Sequence, residues 1–216
     1  MYSNEGSVVC FVRLNRSSCC TAIMPKGKKF TAFADTMCSA SNVLDAAISV
    51  GGNAAGLIPT HRQCSIEITN KCSNYTLRNP SLHSDSGSCT EPLPLTIDPS
   101  KTGNALFTKT PNTARGAVGV FTYDLNQSTN ASTEKIAVMF SVPYDYNLYS
   151  NWFAVGIFDK SVLCDHDLYY RMYNNTGTFD RKKGGQSIEY KKDNVTITAM
   201  MTDTFQPVLQ VEVKDN

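Results

Sequence analysis

The residues best equipped for chemistry in this chain are aromatic, and they are bunched. Phe140–Phe153 reads FSVPYDYNLYSNWF and carries Tyr144, Tyr146, Tyr149, Trp152 and Phe153 beside Phe140, with the only Trp of the chain. Pro143, Asp145, Asn147, Ser150 and Asn151 punctuate it, so the stretch reads as a turn or loop rather than an element interior. Rings with polar tips on a projecting loop suit the boundary between water and lipid. A loop folded back onto its own core is the competing reading. A choline head group needs ring faces for its ammonium and donors for its phosphate, and tyrosines supply both.

Other chemistry finds less support. The chain holds no GxSxG elbow, P-loop, HExxH or GxGxxG. His61 and His83 fall in predicted loops and His166 on a predicted helix. Cys164, Asp165, His166 and Asp167 are neighbours in sequence, but one helical turn points them in different directions, so a solvated helix face is expected. A Cys-His-Asp triad would need partners from distant segments, and none announces itself. Eight Cys, at 10, 19, 20, 38, 64, 72, 89 and 164, are irregularly spaced without a CxxC pair. That argues against a structural zinc site and leaves disulfides and buried free thiols both open. The expectation is a non-enzyme with no catalytic residue, no metal and no cofactor.

Length and charge set the frame. The chain has 216 residues, with 20 basic against 19 acidic side chains. That is enough for one domain with a sizeable core, and it lacks the basic excess of a nucleic-acid binder. No apolar run approaches the ~18 residues of a ready-made transmembrane helix, so the form first made is expected to be soluble. Sequons at Asn15, Asn74, Asn126, Asn130, Asn174 and Asn194 lean towards a secretory route. The apolar stretch Val8–Val12 is shorter than a signal-peptide core, so no clear leader is expected.

These side chains need elements to position them. Residues 1–35 show no clear period and read as a poorly defined extension. Over 36–59, Val43, Leu44, Ala46, Ala47, Ile48, Val50, Ala54, Ala55, Leu57 and Ile58 share one helical face, and Ser41, Asn42, Asp45, Ser49, Gly52, Asn53 and Gly56 the other. Asp35, Thr36 or Ser39 could cap this amphipathic helix, and Pro59 ends it. Gly51, Gly52 and Gly56 each cost about 1 kcal/mol against Ala, which leaves it weak in water. At ~1.5 Å per residue its length is roughly that of the ~30 Å hydrocarbon layer. A helix packed on a sheet is the commoner meaning of such a pattern, and a weakly docked helix can be both.

From residue 63 the texture turns to β. Ser65–Thr69, Val195–Ala199 and Val208–Val213 alternate, Ala105–Thr110, Ala117–Tyr123 and Trp152–Phe158 are short β-rich runs, and Lys135–Val142 is apolar at nearly every position, as a strand buried on both faces would be. Turn signals at Ser84–Ser88, Pro92–Pro94, Asn126–Ser132 and Lys183–Gly185 separate them. Many short strands at such spacing predict a β-sandwich. A second helix is predicted over 162–174, with Tyr169, Met172 and Tyr173 along one side. The fold class is therefore mainly β, one domain over 36–216 with a sandwich and two helices.

The run VMFSVPYDYNLYSNWFAVGIF, from Val138, resembles the signature of the actinoporins, the sea-anemone pore-forming cytolysins, and of their relatives in fish. The likeness runs from about Cys64 to the C-terminus. It implies an actinoporin-like β-sandwich flanked by two α-helices, mostly free thiols, and a phosphocholine pocket. Carried over by motif, that pocket is Ser84, Val118 of the GAVGVF stretch, Ser141, Pro143, Tyr149, Tyr169 and Tyr173. Asn174 stands where the family usually has another Tyr, and His83 where it places a phosphate-contacting Arg. The membrane interface would be His83, Tyr144, Leu148, Trp152 and Phe153, with Leu148 and Phe153 at positions usually Trp. The Arg-Gly-Asp of the sea-anemone members is absent, and Phe179-Asp180-Arg181 stands in its region.

The resemblance also implies an activity. A protein monomeric in solution would bind phosphocholine or sphingomyelin membrane, assemble into a homo-oligomer there, and insert its N-terminal helix. Val43, Leu44, Asp45, Ala47, Ile48, Val50 and Leu57 would be the pore-forming residues, with Asp45 favouring cations. The protein would be secreted and act at a target cell membrane. The alternative is a non-lytic lipid- or glycan-binding module of the same fold, since the fold also resembles fungal lectins.

Overall fold

A computed structural model describes residues 61–127 and 133–215, together with the strands β1 (Val8–Phe11) and β2 (Thr21–Met24). β1 and β2 pair antiparallel, Val8 opposite Met24, in a stretch for which the sequence suggested no element. The chain divides into two units, Met1–Ala55 and Gly56–Asn216. The amphipathic helix expected over 36–59, with Val43, Leu44, Asp45, Ala47, Ile48, Val50 and Leu57, lies outside the described residues.

The second unit is a sandwich of two six-stranded sheets among the described residues. Its strands in chain order are β3 (Gln63–Asn70), β4 (Tyr75–Ser86), β5 (Ser88–Glu91), β6 (Thr96–Ile97), β7 (Lys101–Thr108), β8 (Ala117–Gln127), β9 (Glu134–Val142), β10 (Trp152–Asp159), β11 (Phe179–Lys183), β12 (Ser187–Lys192), β13 (Val195–Met201) and β14 (Val208–Asp215). The first sheet runs β11-β10-β9-β8-β4-β6 and the second β12-β13-β14-β3-β7-β5. Neighbours are antiparallel except β14 and β3, which are parallel.

Period-two patterning explains the layers. In β3, Cys64, Ile66 and Ile68 are buried between the sheets while Ser65, Glu67 and Thr69 alternate outward. β9 is buried along its whole length for a different reason. Ile136, Val138, Phe140 and Val142 belong to the core between the sheets, whereas Ala137 and Met139 belong to a second cluster under a helix. That helix, α1 (His166–Asn174), buries Leu168, Tyr169 and Met172 against Val120, Ala137, Met139, Ala154, Phe158 and Phe179 on the outer face of the first sheet. It starts later than the predicted 162–174 because Asp165 caps it, accepting from the Leu168 N–H at 3.0 Å.

The aromatic stretch corrects the loop reading. Phe140–Val142 ends β9 and Trp152–Phe153 begins β10, so the loop proper is 143–151. Phe153 is 0 % exposed, pairs with Phe140 and lies in the core between the sheets. It is therefore not at a membrane interface: adjacent strand residues face opposite ways, and Trp152 takes the outward position. His83, expected in a loop, is in β4. The Ser84–Ser88 turn narrows to Gly87, whose φ of +90° joins β4 to β5.

Candidate functional site

Five strands contribute one residue each to a row across the outer face of the first sheet. Ser86 on β4 pairs with Val118 on β8, Val118 with Ser141 on β9, Ser141 with Trp152 on β10, and Trp152 with Lys183 on β11. Directly paired residues share a face, so these side chains line up beside α1. Of the expected pocket residues, Val118 and Ser141 sit in the row. Ser84 is paired with Gly119, one register position away, and a bulge between Ser84 and Ser86 brings Ser86 into line instead.

Above the row are the two tyrosines of α1. Tyr169 and Tyr173 are one helical turn apart and stack, with centroids 5.8 Å apart and planes at 25°. Tyr169 is 8 % exposed and packs in the cluster between the helix and the sheet, against which Val118 of the row also lies. Burial, with the Asp85 charge adding, pushes its hydroxyl well above the ordinary phenol range, and the nearby Ser141 side chain opposes that. It stays neutral and keeps its proton as a donor. Tyr173 is only half-buried at the edge of the helix cluster.

The 143–151 loop is clamped at both ends. Buried Arg62 donates from Nε to the carbonyls of Pro143 (3.2 Å) and Tyr144 (3.1 Å), and from Nη2 to Tyr144 (2.8 Å). Its guanidinium also lies 5.7 Å from the Tyr144 ring, 5.3 Å from Tyr146 and 4.7 Å from Phe205. Lys109 reaches the Tyr144 ring as well, at 5.1 Å. At the far end Asn151 donates to the Thr204 carbonyl at 2.9 Å, and Tyr146 donates its hydroxyl to the same carbonyl. Burial comes first among the causes that raise the Tyr146 hydroxyl to about 12. Between the clamps the Asp145 side chain accepts from the Asn147 N–H (2.8 Å) and its carbonyl from the Tyr149 N–H (3.0 Å). This turn presents Leu148 at 74 % and Tyr149 at 58 % exposure.

The expected membrane-facing residues therefore divide. Leu148 is open at the loop tip, where Tyr149 joins it. Trp152 is half-buried, with Arg181 at 4.8 Å and Lys183 at 5.4 Å over its ring. Tyr144 is half-buried against Arg62 and Lys109, and Phe153 is interior. Sequence reasoning missed Arg62, Ser86, Arg181 and Lys183. Arg62 is one isolated cation before a strand, and no local pattern marks it. A groove of about 430 Å³ lies elsewhere, on the outer face of the second sheet between Glu67, Lys71, Thr198 and Gln210. It carries none of the aromatic chemistry. The cysteines Cys64, Cys72, Cys89 and Cys164 are free thiols. Burial, with the Asp215 charge adding to it, pushes Cys72 up to about 12, and burial raises Cys64 further, which makes both poor nucleophiles at neutral pH.

This arrangement matches a known family. Residues 37–215 fit the description of the sea anemone cytotoxic proteins. The chain belongs to that family, the actinoporins. Bryoporin of Physcomitrium patens is 30 % identical over 160 residues, covering 74 % of this chain and 87 % of Bryoporin. DELTA-alicitoxin-Pse1b of Phyllodiscus semoni is 37 % identical over 101 residues, 47 % of this chain and 42 % of the toxin. The chain thus spans about two fifths of that relative's length. Among solved structures, the lipid binding protein Nakanori superposes with a TM-score of 0.57 at 12 % identity, over 80 % of this chain and 75 % of that one. At that identity the likeness concerns the actinoporin-like fold alone.

Proposed function

We propose that this actinoporin-family chain is a pore-forming cytolysin that docks on phosphocholine-bearing membrane, sphingomyelin included. The observation that carries the reading is the meeting of the Ser141 row with the stacked Tyr169 and Tyr173 beside an open loop tip. The ammonium of choline would meet the half-exposed Tyr173 and Tyr149. The phosphate would meet hydroxyls of the row, with Ser84 and Pro143 at its margin. Leu148 and Tyr149 would enter the head-group layer, and Trp152 would sit at its level between Arg181 and Lys183. The segment 36–58 would then insert as a helix, with Asp45 on the lumen side. Several copies must assemble, because a lone amphipathic helix cannot shield its polar face in lipid. The protein would act from outside on a target cell membrane.

Dye release and co-sedimentation with phosphatidylcholine–sphingomyelin vesicles test this together. Binding with leakage is expected. Tight binding without leakage would leave a non-lytic lipid-binding module, and no binding would reject the site. A crosslink that tethers segment 36–58 to the second unit should block leakage and spare binding. Leakage that ignores the lock would reject insertion of that segment.

A further inference from the structure

Three side chains gather where β4 meets the start of α1. His83 and Asp85 lie on β4 on either side of Ser84, and His166 is the first residue of α1. Each offers a ligand atom, and the three atoms lie within 4.8 Å of one another. The His166 Nδ1 is 3.0 Å from an Asp85 carboxylate oxygen. The rings of His83 and His166 meet edge to face, with centroids 6.0 Å apart. The His83 Nε2 is shut off from solvent and has no hydrogen-bond partner among the described residues. An imidazole nitrogen buried without a partner is costly, and such an orphan calls for an explanation.

We propose that His83, Asp85 and His166 form a binding site for a borderline divalent cation such as zinc. Two imidazoles and one carboxylate are the donors such a cation takes. With bonds of about 2.1 Å, tetrahedral ligands lie roughly 3.4 Å apart. The longest edge of the cluster, at most 4.8 Å, must therefore shorten by up to about 1.4 Å, within reach of side-chain rotation at Asp85 and His166, both exposed. The bulge between Ser84 and Ser86 frees Asp85 from the strict alternation of the strand and turns it towards the helix. A bound cation would replace the single Asp85–His166 contact by a three-way staple between β4 and α1, the helix that carries Tyr169 and Tyr173. Three protein ligands leave a fourth position open to water or to an anionic oxygen. The site stands independently of lipid binding, because its probe is the metal alone.

The test is titration of the full chain with zinc chloride, without lipid, followed by calorimetry and thermal melting. One saturable zinc per chain is expected, with a rise in melting midpoint of about 5–10 °C at a hundredfold excess over Kd. His166→Gln and, independently, Asp85→Ala should each weaken zinc binding at least about tenfold. Both positions are exposed, so melting midpoints in chelator should match that of the unaltered chain. His61→Gln should leave the affinity unchanged. Cobalt in place of zinc should show visible tetrahedral bands and no thiolate charge-transfer band. Absence of saturable uptake, unchanged affinity in both ligand variants, or a thiolate band that places the metal on cysteines would each overturn the site.

Discussion

Tyr169 and Tyr173 of α1 stack with ring centroids 5.8 Å apart, yet Tyr169 is 8 % exposed within the cluster under the helix and Tyr173 is only half-buried at its edge. Burial makes Tyr169 part of the scaffold and leaves Tyr173 as the ring a ligand can reach. The two tyrosines should respond differently to mutation. Tyr173→Ala should weaken vesicle binding roughly 2–30-fold, the range of a single cation–π contact, with little change in melting. Tyr169→Ala should lose binding together with about 3 kcal/mol or more of stability, because it empties a packed position. Co-sedimentation beside urea unfolding separates the two.

Leu148 and Phe153 make the complementary pair. Phe153→Ala should cost about 3–5 kcal/mol of stability, read as a fall in the urea midpoint at constant slope. Leu148→Ala should leave stability within about 0.5 kcal/mol and reduce vesicle affinity roughly tenfold. A Phe153 variant that keeps its stability would contradict the register of β9 on β10.

Arg62 should matter more than its isolation in sequence suggests. Arg62→Ala leaves the Pro143 and Tyr144 carbonyls without their donor and should cost about 2–3 kcal/mol. Arg62→Lys should recover little, because an ammonium cannot reproduce the planar fork. Proteolytic cleavage within 143–151, compared between variants, reports whether the loop has come loose.

Asp215 gives a pH dependence. Its burial works against ionisation, but N–H donors from Ser73 (2.9 Å) and Asn74 (2.8 Å) outweigh it and hold the carboxyl below its ordinary 3.8. A depressed folded value means the unfolded chain takes up the proton first as pH falls. The stabilisation is complete well above 3.8 and is lost as pH drops through the lower folded value. Asp215→Asn should therefore be less stable at neutral pH and lose less on acidification below about pH 4. Urea midpoints at neutral and acid pH measure both.

Part of this molecule can be read along the chain. The alternation of β3, β13 and β14 and the unbroken apolar run of β9 emerge as the elements they indicate, because burial on one face or two writes itself into nearest-neighbour pattern. β4 was missed. Asn79 has a φ of 51°, Pro80 follows it, and two bulges interrupt its ladder, so no period survives. β11 and β12 are polar edge strands with little alternation to detect. The strand expected over Trp152–Phe158 is present as β10, but the resemblance places Phe153 at a membrane-facing position, and only its register opposite Phe140 turns it into the core.

The order of residues carries the period of each strand, the cap of α1 and the family to which the chain belongs, because these are local properties of spacing and type. Which side chains meet is a matter of register, bulges and helix placement. Those bring Ser86, Val118, Ser141, Trp152 and Lys183 into one row and His166 up to His83 and Asp85. Such meetings are selected by burial of the whole core between distant segments, and no short window of sequence contains that energy.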